Sequence, residues 1–144
     1  MRRVDVASAL VYDDQDNLLL VKNKNGDSFY WGPPGGAVEE GETLEQAVIR
    51  EVQEETGYSI AITGLNSVRE MFFRKSEHHA LIVTFYARVI SGDLEIADPD
   101  QEILEAIWAN ADTARTLMPS LFEQLKLSSE DNKTMAFYAF EGLK

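Results

Sequence analysis

The sequence predicts an α/β/α sandwich, with a mixed β-sheet held between helices. Three features carry that expectation. Short runs rich in β-branched and aromatic residues recur along the chain, bounded by Gly, Pro, Asn and Asp. One stretch, residues 43–57, has helical periodicity instead. A second helix is announced late, by Pro119 ahead of Leu121, Phe122 and Leu125 on one face. At 144 residues the chain suits a single domain, 1–144, with one core.

Residues 4–12 are apolar on both parities, the pattern of a strand buried on both faces. Asp13-Asp14-Gln15-Asp16-Asn17 is a turn cluster. It lacks the fixed Gly and the distant Glu of a calcium loop, so it reads as a turn only. Residues 18–21 form a second strand, expected to make a hairpin with the first, and 22–28 read as polar loop. Phe29-Tyr30-Trp31 is a short aromatic strand, with Tyr30 and Trp31 expected in the core; stacking on substrate is the other reading. Gly32-Pro33-Pro34-Gly35-Gly36 then stops regular structure.

The helix over 43–57 has both ends written in. Thr43 and Gln46 make a capping box, and Gly57 supplies the left-handed residue past the last turn. With ~100° per residue and Leu44 at zero, Val48 falls at about 40° and Val52 at about 80°. Glu55 lies at about 20°, inside that apolar stripe, with Glu51 and Glu54 beside it at about 340° and 280°. Like charges at these spacings repel, and a carboxylate leaving water needs a partner. Arg50 alone cannot neutralise three acids, whereas a hard divalent cation such as Mg²⁺ can. A solvated acidic face is the alternative reading of the glutamates taken by themselves.

Past the helix, 59–63 is a short strand and Gly64-Leu65-Asn66 a turn or bulge. Residues 68–74 and 79–90 form a long antiparallel pair, with Leu81, Val83, Phe85, Ala87 and Val89 as its core face. Residues 94–100 are an acidic loop carrying Pro99, and 101–108 make a last strand. A helical turn follows at 111–118, then the Pro119 helix, then a loop at 128–132. The apolar and aromatic stretch 134–140 is either an added edge strand or a contact with a second subunit in a homodimer.

Charge and composition narrow the partners. Lys and Arg total 13 against 25 Asp and Glu, a formal net charge of −12. That argues against a DNA duplex, which wants a basic surface. Small phosphate substrates can still reach an acidic site through bound metal. The chain has no Cys, which rules out disulfides and thiolate metal sites and suits a reducing compartment. Asp5 and Asp13 interrupt any signal-peptide run, and no stretch approaches the ~20 apolar residues of a membrane span. A soluble, cytoplasmic protein with no membrane partner is the expectation.

The spacing of the central stretch is more specific than its composition. Gly36, five residues, Glu42, seven residues, then Arg50-Glu51-Val52-Gln53-Glu54-Glu55-Thr56-Gly57 meets every fixed letter of G-x5-E-x7-R-E-U-x-E-E-x-G-U. Only Tyr58 departs, where an aliphatic residue is preferred. The chain therefore resembles the Nudix hydrolase family, MutT-like proteins that cleave a nucleoside diphosphate linked to another group X. Glu102-Ile103, Glu105 and Trp108 add a weaker match to the family's "E-I-x-E-x-x-W" strand.

This resemblance implies an α/β/α sandwich and a metal-dependent pyrophosphohydrolase using Mg²⁺ or Mn²⁺. It makes Glu51, Glu54 and Glu55 the metal ligands, Glu42 an accessory acid and Arg50 the residue that orients them. Gly36 and Gly57 then shape the backbone. The general base is a box glutamate or a later residue among Glu77, His78, His79, Asp98, Asp100 and Glu102, with Glu102 preferred because it precedes the last strand near the substrate. Phe73, Arg74 and Lys75 are candidates to stack on a base and meet phosphate; a plain strand end with solvated cations is the other reading. The expected substrate is a small nucleotide, leaning to nucleoside triphosphates including damaged ones. Alternatives are ADP-ribose, nucleotide sugars, dinucleoside polyphosphates or capped RNA, or a non-catalytic nucleotide-binding module.

Overall fold

The computed structural model describes residues 1–128 and 135–144. Two sheets share the centre. A five-stranded mixed sheet has the order β4-β1-β6-β5-β8, built from β4 (Gly35–Ala37), β1 (Arg2–Val11), β6 (His78–Gly92), β5 (Tyr58–Phe73) and β8 (Phe137–Leu143). A three-stranded antiparallel sheet has the order β3-β2-β7, from β3 (Ser28–Gly32), β2 (Leu18–Asn25) and β7 (Ile103–Ala109). In the larger sheet β1–β6 and β5–β8 run parallel, while β1–β4 and β5–β6 are antiparallel.

The helices lie on opposite sides of these strands. Helix α1 (Leu44–Thr56) buries Ala47, Val48 and Val52 against Ala7, Ala9, Val11, Val83 and Phe85. Helices α2 (Ala111–Leu117) and α3 (Pro119–Gln124) bury Ala114 and Phe122 against Leu10, Leu18 and Leu20. Strand β1 thus serves both cores, which is why its apolar residues occupy both parities. The α/β/α architecture expected from the sequence is the one observed, with two sheets rather than one.

Several local expectations need correction. β1 and β2 are not a hairpin; one isolated bridge, Tyr12 to Leu18, joins them before they enter different sheets. The edges of β1 are taken by β4 and β6, and those of β2 by β3 and β7. The stretch read as polar loop is largely strand: β2 runs to Asn25 and turns through Gly26, at φ 63°, into β3. Polarity there reports an exposed strand end, not a missing ladder. Gly35-Gly36 also continues as strand, because Gly35 lets β4 close on β1: a Cβ there would stand 2.3 Å from the Ala7 carbonyl oxygen. Tyr30 is not core; it is 55% exposed, while Trp31 packs half-buried on the second core.

Other expectations stand. Residues 64–66 are bulged within a continuous β5. Phe137–Leu143 is an edge strand, parallel to β5; Thr134 and residues 129–132 of the expected loop lie outside the described residues. No helix is long and apolar enough to cross a membrane, among the described residues.

The capping box of α1 is complete, and Gly57 ends the helix at φ 85°. A Cβ on Gly57 would meet the Asp93 carbonyl oxygen at 2.2 Å and the Glu95 nitrogen at 2.7 Å. Gly57→Ala therefore combines left-handed strain with a backbone clash. Its expected cost is about 2 kcal/mol or more, read as a lower urea midpoint with unchanged slope. An unshifted midpoint would show that the 93–95 segment yields freely.

Candidate active site

The site is assembled around the guanidinium of Arg50. Its Nε–H donates to Glu42 Oε2 at 2.7 Å and its Nη2–H to Glu42 Oε1 at 2.9 Å, a two-pronged grip. Nη1–H donates to Glu51 Oε1 at 2.9 Å and reaches Glu54 Oε2 at 3.4 Å. Nη2–H also donates to the Ala37 carbonyl at 3.3 Å. One cation thus ties the β4–α1 loop to the helix and gathers three acids. The hydrogen bonds from Arg50 hold the Glu42 carboxyl down at about 2. Burial raises Glu54 against the opposing pull of Arg50.

Glu55 is left out of this arrangement. It is 5% exposed, and Gly35 N–H donates to its Oε1 at 3.1 Å. Burial pushes its carboxyl up to about 9; the Gly35 bond opposes this, and the neighbouring Glu51 charge adds to it. Desolvation outweighs the single backbone hydrogen bond, and among the described residues no Lys or Arg pairs with this carboxylate.

Facing the helix is the 95–103 segment. Its Glu95 and Ala97 N–H groups cap the carbonyls of Thr56 and Glu54, both at 2.9 Å. The Asp98 carboxylate accepts from the N–H groups of Asp100, Glu102 and Ile103, at 3.2, 2.7 and 3.2 Å. That turn sets Glu102 opposite α1. A cavity of about 340 Å³ lies between, lined by Tyr30, Glu51, Glu55, Asp98, Asp100 and Glu102. Gly36 forms part of its wall; a Cβ there would stand 2.7 Å from the Glu51 carboxylate.

The structure brings Glu42, Arg50, Glu51, Glu54 and Glu55 together, with Asp98, Asp100 and Glu102 across the cavity. It keeps Phe73, Arg74, Lys75, Glu77, His78 and His79 apart from them, at or beside the β5–β6 turn. Phe73 stacks on His78 there, with ring centroids 4.6 Å apart, and His79 meets Phe72 edge-on. Sequence reasoning favoured the core for Tyr30, which lines the cavity instead, and missed Asn23 and the Gly35 amide. Alternation along Ser28–Gly32 would have separated Tyr30 from Trp31; the Gly35 contact leaves no local signal.

The donor set fits a hard divalent cation: carboxylate oxygens only, one of them buried without a counter-charge, against a glycine that leaves them room. As the side chains stand, no three acidic or imidazole groups among the described residues are arranged to hold an ion. Arg50 engages Glu51 and Glu54, and Gly35 holds Glu55. Glu51 and Glu54 would need to turn from Arg50 to bind metal.

A family model described as NUDIX domain matches residues 1–130. The chain belongs to the Nudix family. A solved NUDIX hydrolase from Nitrosomonas europaea superposes with a TM-score of 0.79 at 28% identity, covering 92% of each chain. The ADP-ribose pyrophosphatase of Methanocaldococcus jannaschii is 36% identical over 93 residues, 64% of this chain and 55% of its own length. The NAD-capped RNA hydrolase NudC of Photobacterium profundum is 31% identical over 118 residues, 81% of this chain and 42% of its own length. This Nudix chain spans 28–55% of the lengths of the first curated relatives it matches.

Proposed function

We propose that this Nudix protein is a metal-dependent pyrophosphohydrolase acting on a nucleoside diphosphate linked to X, with nucleoside triphosphates as the favoured class. The observation that carries the reading is the shared guanidinium of Arg50 on Glu42, Glu51 and Glu54, beside a buried, uncompensated Glu55. Glu51, Glu54 and Glu55 would hold Mg²⁺ or Mn²⁺, with Glu42 accessory. Bound metal supplies charge neutralisation on the pyrophosphate oxygens and a more acidic water.

The chain's own residues do the rest. Arg50 fixes the carboxylates in register through its two-pronged contact with Glu42. Glu102 is the proposed proton acceptor. Its carboxylate makes no hydrogen bond among the described residues, whereas that of Asp98 is occupied by three N–H groups. Tyr30, 55% exposed, lines one side of the cavity. A cysteine-free chain suits work in a reducing cytoplasm.

The name of the archaeal relative supports ADP-ribose as a second substrate class. Product release from triphosphates, oxidised triphosphates, nucleotide sugars, ADP-ribose and dinucleoside polyphosphates, with Mg²⁺, Mn²⁺ or EDTA, tests both. Turnover of one class that vanishes in EDTA is the expected result. Turnover that persists in EDTA would remove the metal from the account, and no turnover of any class would leave a binding module.

A further inference from the structure

Strand β8 belongs to neither core. Among the described residues, none of its side chains packs in the cluster under α1 or in the one under α2 and α3. It is added to β5 in parallel and ends the larger sheet, so its outer row of N–H and C=O groups pairs with no strand among the described residues. Alternate side chains go to opposite faces. Glu141 turns inward to Arg69, 3.0 Å away, and both side chains are largely buried. Tyr138 and Phe140 turn to the other face, beside Val68 and Glu70 of β5. That is the face α1 packs on, but the helix leaves these two rings 62% and 51% exposed. Both are held in place: Tyr138 O–H donates to Glu70 Oε2 at 2.8 Å, and Phe140 meets Phe72 with centroids 5.1 Å apart.

An open strand edge with an apolar row is a template for another strand, and proteins usually blunt it with Lys, Pro or a very short strand. Phe137–Leu143 has seven residues, no Pro and no basic residue. Its acid, Glu141, is neutralised by Arg69. The other sheet edges differ. β4 is three residues long, β7 carries the exposed Glu105, and β3 borders the acidic cavity through Tyr30. Charge then selects the occupant. The chain has a formal net charge of −12, and a twofold contact sets a patch against its own copy, so a charged patch repels its mate. On β8 the charges are already cancelled within the chain. Glu70, on the same face, lies one strand in from the edge and is bonded to Tyr138.

We infer that β8 is a homodimer contact: two copies of this chain pair their β8 edges antiparallel, forming one continuous sheet across a twofold axis. The free backbone groups then find partners, and the Tyr138 and Phe140 rings of each copy cover those of the other. A foreign strand would satisfy the backbone without bringing a matching aromatic row. β4 lies at the opposite end of the same sheet, so Gly36 and the acids of α1 stay open in both copies. The contact is independent of the pyrophosphohydrolase reading.

Sedimentation equilibrium of the full chain, from low to high micromolar concentration, should give twice the mass of one chain. Phe140→Lys places like charges close to the twofold axis and should raise the dimer dissociation constant at least about tenfold. Leu104→Lys adds the same charge at an exposed position on the β7 edge and should leave that constant unchanged. Hydrogen exchange of the unaltered chain supplies a reading that no substitution can disturb: the amides of 137–141 should gain protection as concentration rises. A one-chain mass at every concentration overturns self-pairing and leaves the edge to a foreign strand. A dimer that Phe140→Lys leaves intact, or that Leu104→Lys breaks instead, puts the contact elsewhere and overturns it too. So does protection over 137–141 that ignores concentration.

Discussion

Glu55→Gln is expected to abolish turnover and, in EDTA, to raise the melting temperature of the protein at pH 8. The two effects have one cause. Glu55 is buried with no counter-ion among the described residues, and burial pushes its folded carboxyl up from 4.5 to about 9. Between those values the folded chain retains a proton that the unfolded chain releases. Stability is therefore complete below about pH 4.5 and declines as pH rises towards about 9. Glutamine keeps an acceptor for Gly35 N–H and removes the charge. Each kcal/mol relieved is worth on the order of 2–4 °C. The gain should be present at pH 8 and absent at pH 4. With saturating Mg²⁺ the order should reverse, because only the wild type gains from binding at a full ligand set. A variant that melts no higher than wild type at pH 8 in EDTA contradicts the electrostatic account. One that turns over normally removes Glu55 from the reaction.

Arg50→Lys is expected to lower kcat/KM by about 10–100-fold and to raise the Mg²⁺ concentration needed for half-maximal rate. The charge is conserved, so what is lost is geometry. A single ammonium cannot grip both oxygens of Glu42 while also reaching Glu51 and Glu54. The β4–α1 loop then loses its tie to the helix, and the carboxylates lose their common reference. Measuring the rate over a Mg²⁺ titration separates the outcomes. A lowered rate that saturating Mg²⁺ fully restores would assign Arg50 to metal affinity alone. Wild-type behaviour at all Mg²⁺ concentrations would mean that the network is ornamental to catalysis.

Much of this site was legible before folding. Helix α1 is held by contacts three and four residues apart, so its ends and its apolar stripe can be read from one window of sequence. The same periodicity places Glu55 between Leu44 and Val48, which predicts the buried carboxylate found at 5% exposure. The spacing from Gly36 to Gly57 then pointed to the family.

What the tertiary structure alone decided involves residues far apart in the chain. A strand's pattern says which faces are buried but not which strand lies beside it, so the β1–β2 hairpin was expected and two separate sheets were found. Gly35 and Glu55 meet across 20 positions, and Arg69 and Glu141 across 72. No local periodicity encodes such pairs. Whether Tyr30 faces core or cavity, and whether Arg69 ends in solvent or against Glu141, depends on how the sheets pack around it. The helix carries its acids by local geometry; the cavity those acids line exists only once distant strands have chosen their neighbours.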